Sequence, residues 1–163
     1  MHSLDIGAGP HSDADVQIDQ VKWEKTTHVR DILDLPYPFE DDEFDEVRLE
    51  QVLEHIPTVV HYKENGKFTH IYPRVALFAE VHRILKPGGM FHVSVPGQQA
   101  AFSQDPTHVG PMPQEGFLNY FCGQWGGNEP GSFTNDAYGI TFKFDKVSEF
   151  WTNEILTIRL RKP

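Results

Sequence analysis

The spacing of hydrophobic and polar positions changes several times along the chain, and each change marks an element. Leu4-Asp5-Ile6, two apolar residues around an acid, suits a strand end and enters the turn Gly7-Ala8-Gly9-Pro10. Val16-Gln17-Ile18-Asp19 predicts a second strand, buried and ending in a carboxylate. Residues 27–31 predict a third strand with Asp31 at its tip. After the extended linker Pro36-Tyr37-Pro38-Phe39, where proline fixes φ, residues 44–50 predict a fourth. Residues 51–56 predict a short helical turn. Within 74–86, Leu77, Phe78, Val81, Ile84 and Leu85 fall at helical spacing, and Lys86-Pro87-Gly88-Gly89 stops that helix. Residues 90–95 predict a buried fifth strand. Ile140, Phe142 and Phe144 alternate with polar residues, as do Leu156, Ile158 and Leu160, and predict two final strands.

Residues 59–72 carry β-prone arms around Asn65-Gly66. Asn-Gly suits a type I′ turn, which needs φ > 0 at both central residues, so this segment predicts a hairpin. An isolated ribbon is marginal in water. The hairpin is therefore expected to pack on the active-site mouth or on a second subunit, unless it is an ordinary surface excursion. Residues 97–139 lose clear periodicity and are rich in Gly, Pro, Asn and aromatics. Such a loop after the fifth strand is expected near a site. His108, Phe117, Tyr120, Phe121 and Trp125 either line a substrate pocket or plug a small core, and the two readings weigh equally.

The length of 163 residues suits one domain spanning 1–163, with a real core. A hydrophobic fraction of 39% excludes a disordered chain. No apolar run is long enough for a membrane span, and no signal peptide is visible. Cys122, the only cysteine, excludes an intrachain disulfide and a cysteine-based zinc site and reads as a small filler residue. Together these features predict a cytoplasmic protein. Fourteen basic against 24 acidic residues, a net charge of −10, argue against a nucleic-acid partner. The acidic run Glu40-Asp41-Asp42-Glu43 reads as a solvated turn.

Glycines at 7 and 9 let the backbone turn tightly beyond a strand, where an open α/β sheet places its ligand. Asp19, at the end of the second strand, is positioned to accept hydrogen bonds from both hydroxyls of a ribose, and Asp31 suits an adenine amino group. Each acid could instead be a solvated loop residue or a cap. A dinucleotide-dependent oxidoreductase is disfavoured, because Ser12 stands where the third glycine of G-x-G-x-x-G would be. The nine histidines are scattered, and none forms a His-x-x-x-His pair beside an acid, so no metal site is predicted.

The ordered set LDIGAGP (4–10), Asp19, Asp31, LPYPFEDDEFDEV (35–47), LEQVLEHI (49–56) and EVHRILKPGGMFHVSVPG (80–97) resembles the class I S-adenosylmethionine-dependent methyltransferases. It is most similar to a compact, methyltransferase type 11-like subgroup that shares Asp105-Pro106-Thr107-His108. The resemblance implies an α/β, Rossmann-like, mostly parallel sheet closed by a C-terminal antiparallel strand pair. It implies S-adenosylmethionine as cofactor and S-adenosylhomocysteine as product. Asp5, Gly7, Ala8 and Gly9 would underlie the methionine and ribose portions, Asp19 would hold the ribose hydroxyls, Asp31 with Ile32 would face the adenine, and Gln20 would be a further cofactor-binding residue. Gln51 would lie beside the sulfonium, with Glu54 and His55 just beyond.

Only nine positions separate Ile6 from Val16, too few for a helical crossover, so the first helix of the family is expected to be short or absent. The family's N-terminal helices are not expected ahead of Leu4 either, and a mobile loop or a second subunit is expected to supply that cover. The subunit would join through the hairpin or the exposed cofactor face. Methyl transfer is mainly an alignment problem, and a base is needed only if the acceptor must lose a proton. His55 and His108 are the candidate bases. The acceptor expected from the acidic charge is a small molecule or a glycan hydroxyl rather than nucleic acid. The alternative is a noncatalytic cofactor-binding regulator or partner subunit of another methyltransferase.

Overall fold

The computed structural model describes residues 1–97, 105–110, 120–123 and 133–163. Among the described residues there are nine strands: β1 (Ser3–Ile6), β2 (Val16–Asp19), β3 (His28–Val29), β4 (Phe44–Glu50), β5 (Val60–Glu64), β6 (Lys67–Ile71), β7 (Leu85–Pro96), β8 (Asp145–Thr152) and β9 (Ile155–Arg161). Two α-helices, α1 (Pro73–Ile84) and α2 (Phe133–Tyr138), lie among the described residues, with a 3₁₀ turn at Leu53–His55. Seven strands form one sheet in the order β3-β2-β1-β4-β7-β9-β8. The strands from β3 to β7 are parallel, and β7-β9-β8 are antiparallel. The expected architecture is therefore observed, including the C-terminal antiparallel pair.

Strand order reverses at β1, which lies between β2 and β4. In an open α/β sheet such a reversal opens a crevice at the carboxyl ends of the strands. Leu4, Ile6, Ile18, Val47 and Leu49 are almost fully buried, as parallel strands covered on both faces require. On α1 the buried positions Leu77, Phe78, Val81 and Ile84 repeat at helical spacing and press on the sheet. Phe78 packs edge-on to Phe91 at 5.1 Å and stacks on Phe121 at 4.3 Å. Phe121 is thus a core residue, and Tyr120 is half-buried. Phe117 and Trp125 lie outside the described residues.

No helix joins β1 to β2; residues 7–15 run as turns and irregular chain. Side chains satisfy backbone groups that a helix would otherwise pair. Gln17, 2% exposed, donates through Nε2 to the carbonyls of Ser12 and Ala14 at 3.1 and 3.3 Å. Asp15 Oδ2 accepts from the backbone and hydroxyl of Ser3, both at 2.9 Å.

Three boundaries differ from expectation. The third strand shrinks to His28–Val29. Helix α1 stops at Ile84, and β7 starts at Leu85, because Leu85 already pairs with Phe44 before a bulge resets the register to Glu46 opposite Met90. Ile140, Phe142 and Phe144 are buried but not a strand: their alternation reflects ring packing against His82 and Phe121. The penultimate strand is β8, whose Val147, Phe150 and Trp151 are 41–49% exposed at the sheet edge. Such an edge strand lacks the buried alternation that betrays a strand in sequence.

The hairpin forms as expected. Asn65 and Gly66 have φ of +50° and +80°, and Glu64 pairs with Lys67 across the turn. Its strands make a separate two-stranded sheet, with Phe68 83% exposed. Burial raises the Cys122 thiol to about 11, consistent with a filler rather than a nucleophile. Among the described residues, no helix is long and apolar enough to cross a membrane.

Candidate active site

The glycine turn is fastened to β2. The amides of Gly7 and Ala8 both donate to the Ile18 carbonyl, at 2.9 and 3.2 Å. Gly7 has φ of +74°, and a Cβ there would lie 2.4 Å from Val52 Cγ2. The turn therefore packs directly on the segment after β4. Gly9 has φ of +60° with open space beside it. Asp19 Oδ2 accepts from the Gly9 amide at 2.9 Å, and Oδ1 accepts from the Val21 amide at 2.7 Å.

The carboxyl ends of β1, β2, β3 and β4 surround a cleft of about 340 Å³, lined by Gly7, Asp19, Gln20, Asp31 to Leu33, Val52, His55 and Ile56. This meets the size of small-molecule sites, and it offers carboxylates at 19 and 31 among apolar walls. Asp31 Oδ1 accepts from the Leu33 amide at 2.8 Å, which shapes the loop after β3. Tyr37 secures that loop: its hydroxyl donates to the Ile32 carbonyl at 2.7 Å, and its amide donates to Glu80 Oε1 on α1 at 2.7 Å.

The structure gathers Gly7, Asp19, Gln20, Asp31, Ile32 and His55 in one cleft, while Asp5, Ala8, Gly9, Gln51 and Glu54 do not line it. Asp5 is buried within the sheet and bonded to Ser12; burial raises its pKa. Gln51 is exposed with φ of +55°, and its amide donates to the Ser94 carbonyl at 2.9 Å. That left-handed residue turns the chain off β4 and into the 3₁₀ turn. Glu54 is 2% exposed, and burial raises its pKa.

His55 and His108 come together across 53 positions, their rings 4.8 Å apart. The loop bearing His108 docks on the 3₁₀ turn because the Val109 amide donates to the Glu54 carbonyl at 3.0 Å. Arg74, 3% exposed, donates to the carbonyls of Ile56 and Gly110 at 2.8 and 2.6 Å and so joins both segments. Sequence reasoning missed Leu33, Val52 and Ile56 as lining residues, and Asp105 and Thr107 as partners of the histidines. Only the quoted Asp105-Pro106-Thr107-His108 string signalled the latter pair.

A second pocket, of about 300 Å³, lies beyond the same turn, lined by Thr58, Val59, Tyr72, Arg74, Val75, Tyr120, Phe121, Tyr138 and Ile140. One stretch, residues 52–59, thus supplies walls to both openings.

A family profile described as a methyltransferase domain matches residues 3–93, more than half of the chain. The chain belongs to this methyltransferase family. It is a class I S-adenosylmethionine-dependent methyltransferase, as its motifs imply, and S-adenosylmethionine is the cofactor. Solved methyltransferases share its fold. The N-methyltransferase NodS of Bradyrhizobium japonicum, in complex with S-adenosyl-L-homocysteine, is 15% identical with a TM-score of 0.55, over 99% of this chain and 77% of that one. The 1,6-didemethyltoxoflavin-N1-methyltransferase of Burkholderia thailandensis, with its named substrate and S-adenosylhomocysteine bound, is 14% identical with a TM-score of 0.59, over 98% and 70%. A SAM-dependent methyltransferase of Archaeoglobus fulgidus is 15% identical with a TM-score of 0.59, over 98% and 85%. No curated protein matches the sequence.

Proposed function

We propose that this methyltransferase acts on a small, planar, oxygen-bearing acceptor held in the pocket beside the cofactor cleft. One observation carries the reading: residues 52–59 form a shared wall between a polar cleft and an aromatic pocket. Tyr72, Tyr120, Tyr138 and Phe121 offer ring faces to a flat molecule, and the buried Arg74 places positive charge at its oxygen. The net charge of −10 supports a small molecule over nucleic acid.

The residues of the cleft fit the cofactor. Asp19 retains oxygen lone pairs for ribose hydroxyls after binding the Gly9 and Val21 amides. Asp31 and Ile32, which line the cleft, would face the adenine, and Gly7 would let the backbone approach the cofactor closely. When bound, S-adenosylmethionine supplies a methyl group already activated by its sulfonium. The chain then has to align the acceptor and dispose of its proton. His55, at the cleft wall, and His108 beside it are assigned that second task.

The test is release of S-adenosylhomocysteine from S-adenosylmethionine across a panel of phenols, hydroxylated heterocycles, glycans and nucleic acids. Turnover confined to flat small molecules, weakened by Tyr138→Ala, is expected. Turnover only on polymers, or none under any condition while the cofactor binds, contradicts the acceptor class; the latter result selects a noncatalytic partner subunit instead.

A further inference from the structure

We propose that Glu54, His55 and His108 bind one divalent transition-metal ion on the acceptor side of the cofactor cleft. No local spacing announces this set; the fold assembles it by docking residues 105–110 on the 3₁₀ turn. One donor atom from each of the three residues lies within 4.8 Å of the others.

The buried carboxylate supplies the independent observation. Glu54 is 2% exposed, and among the described residues its Oε2 has no hydrogen-bond partner. Its other oxygen is 3.9 Å from His108 Nε2, beyond a hydrogen bond. A carboxylate buried in this way is costly unless a cation or a proton meets it. The neighbouring Arg74 guanidinium favours the charged carboxylate electrostatically and donates to the carbonyls of Ile56 and Gly110, while Oε2 itself still has no hydrogen-bond partner among the described residues.

Neighbouring side chains also hold the two histidines in place. Thr107 Oγ1 donates to Asp105 Oδ1 at 2.6 Å, so at 2.9 Å it accepts from His55 Nδ1–H. That chain fixes the tautomer and leaves the His55 Nε2 lone pair for a ligand, as outer-shell partners of metal-bound histidines do. Asp105 Oδ2 also lies 3.8 Å from His108 Nε2.

Two imidazoles and one carboxylate suit Zn²⁺, Fe²⁺ or Mn²⁺ and leave coordination positions open. Bonds of about 2.0–2.2 Å hold tetrahedral donors about 3.3 Å apart, so separations of up to 4.8 Å close by at most about 1.5 Å around the ion. The exposed His55 side chain has room to make that adjustment. An acceptor oxygen in an open position would lose its proton more readily, and the ion would replace a free imidazole as the activating group. Only this last role rests on the methyl-transfer reading; ion binding does not.

The experiment is equilibrium dialysis of the metal-stripped full chain against Zn²⁺ alone, with S-adenosylhomocysteine binding measured on the same preparation. Wild type is expected to take up one Zn²⁺. Glu54→Gln, His55→Gln and His108→Gln should each weaken uptake at least tenfold, and His61→Gln, on the hairpin, should not. His55 is exposed, so its variant stays informative if Glu54→Gln misfolds. Absence of stoichiometric Zn²⁺, or a loss that follows His61 rather than His55 and His108, overturns the proposal. S-Adenosylhomocysteine binding without Zn²⁺ binding would defeat the metal site alone. The reverse result would defeat the methyl-transfer reading alone.

Discussion

Asp19 and Gly9 lock each other in place: Asp19 Oδ2 accepts the Gly9 amide at 2.9 Å while Oδ1 accepts the Val21 amide at 2.7 Å. The acid expected to meet the ribose therefore also closes the glycine turn that lies under it. Asn in its place would set an amide donor against one of two backbone donors. Asp19→Asn is predicted to lose about 1–3 kcal/mol of stability and at least about tenfold in S-adenosylhomocysteine affinity. Thermal melting with and without the ligand checks both; a variant with unchanged ligand-induced shift would remove Asp19 from the cofactor site.

The two glycines of the turn should respond differently. Gly7→Ala adds a Cβ 2.4 Å from Val52 Cγ2 at φ of +74°, whereas Gly9→Ala enters open space at φ of +60°. Backbone strain alone costs about 1 kcal/mol, and overpacking adds about 1–3 kcal/mol. Denaturant melts should place Gly7→Ala well below Gly9→Ala. Equal losses would mean that the turn does not press on Val52.

Glu80 acts on the cleft from a distance. Its Oε1 accepts the Tyr37 amide at 2.7 Å and pairs with Arg83 at 2.7 Å, and Tyr37 in turn holds the Ile32 carbonyl. Glu80→Ala leaves a buried amide unpaired, a cost of about 1–3 kcal/mol. Affinity for adenosine itself should fall in parallel, measured by calorimetry. A destabilised variant with intact adenosine affinity would uncouple the loop after β3 from α1.

His82 and His92 are held below the ordinary histidine range, in both cases chiefly by burial. Lys162 lowers His82 further, and Glu46 partly opposes the shift at His92. The unfolded chain thus binds more protons than the native state near the ordinary value of about 6.5. Stability from these rings is complete above that pH and declines as pH falls through it toward the lower native values. Melting temperature should drop between about pH 7.5 and 5.5, with a shallower drop in His82→Gln. The same slope in both proteins would contradict this origin.

The sequence announces elements that bury an apolar pattern or need special backbone angles. Strands β1, β2 and β4 carry their own burial, and the Asn65-Gly66 turn needs two positive φ values. Edge strand β8 was illegible because its apolar residues face solvent, and the 140–144 alternation misled because those rings pack without pairing. In the site, Asp19, Gln20, Asp31 and Ile32 were legible from their positions after strands. The meeting of Glu54, His55 and His108 was not, since it depends on a loop returning across 53 positions.

Titration calorimetry of the purified chain with S-adenosylhomocysteine, with a nicotinamide dinucleotide as the control, tests the cofactor cleft most directly. Saturable one-to-one binding of S-adenosylhomocysteine, displaced by S-adenosylmethionine and absent for the dinucleotide, is predicted. No binding of either sulfur nucleoside, or tighter binding of the dinucleotide, would contradict the assignment of the cleft.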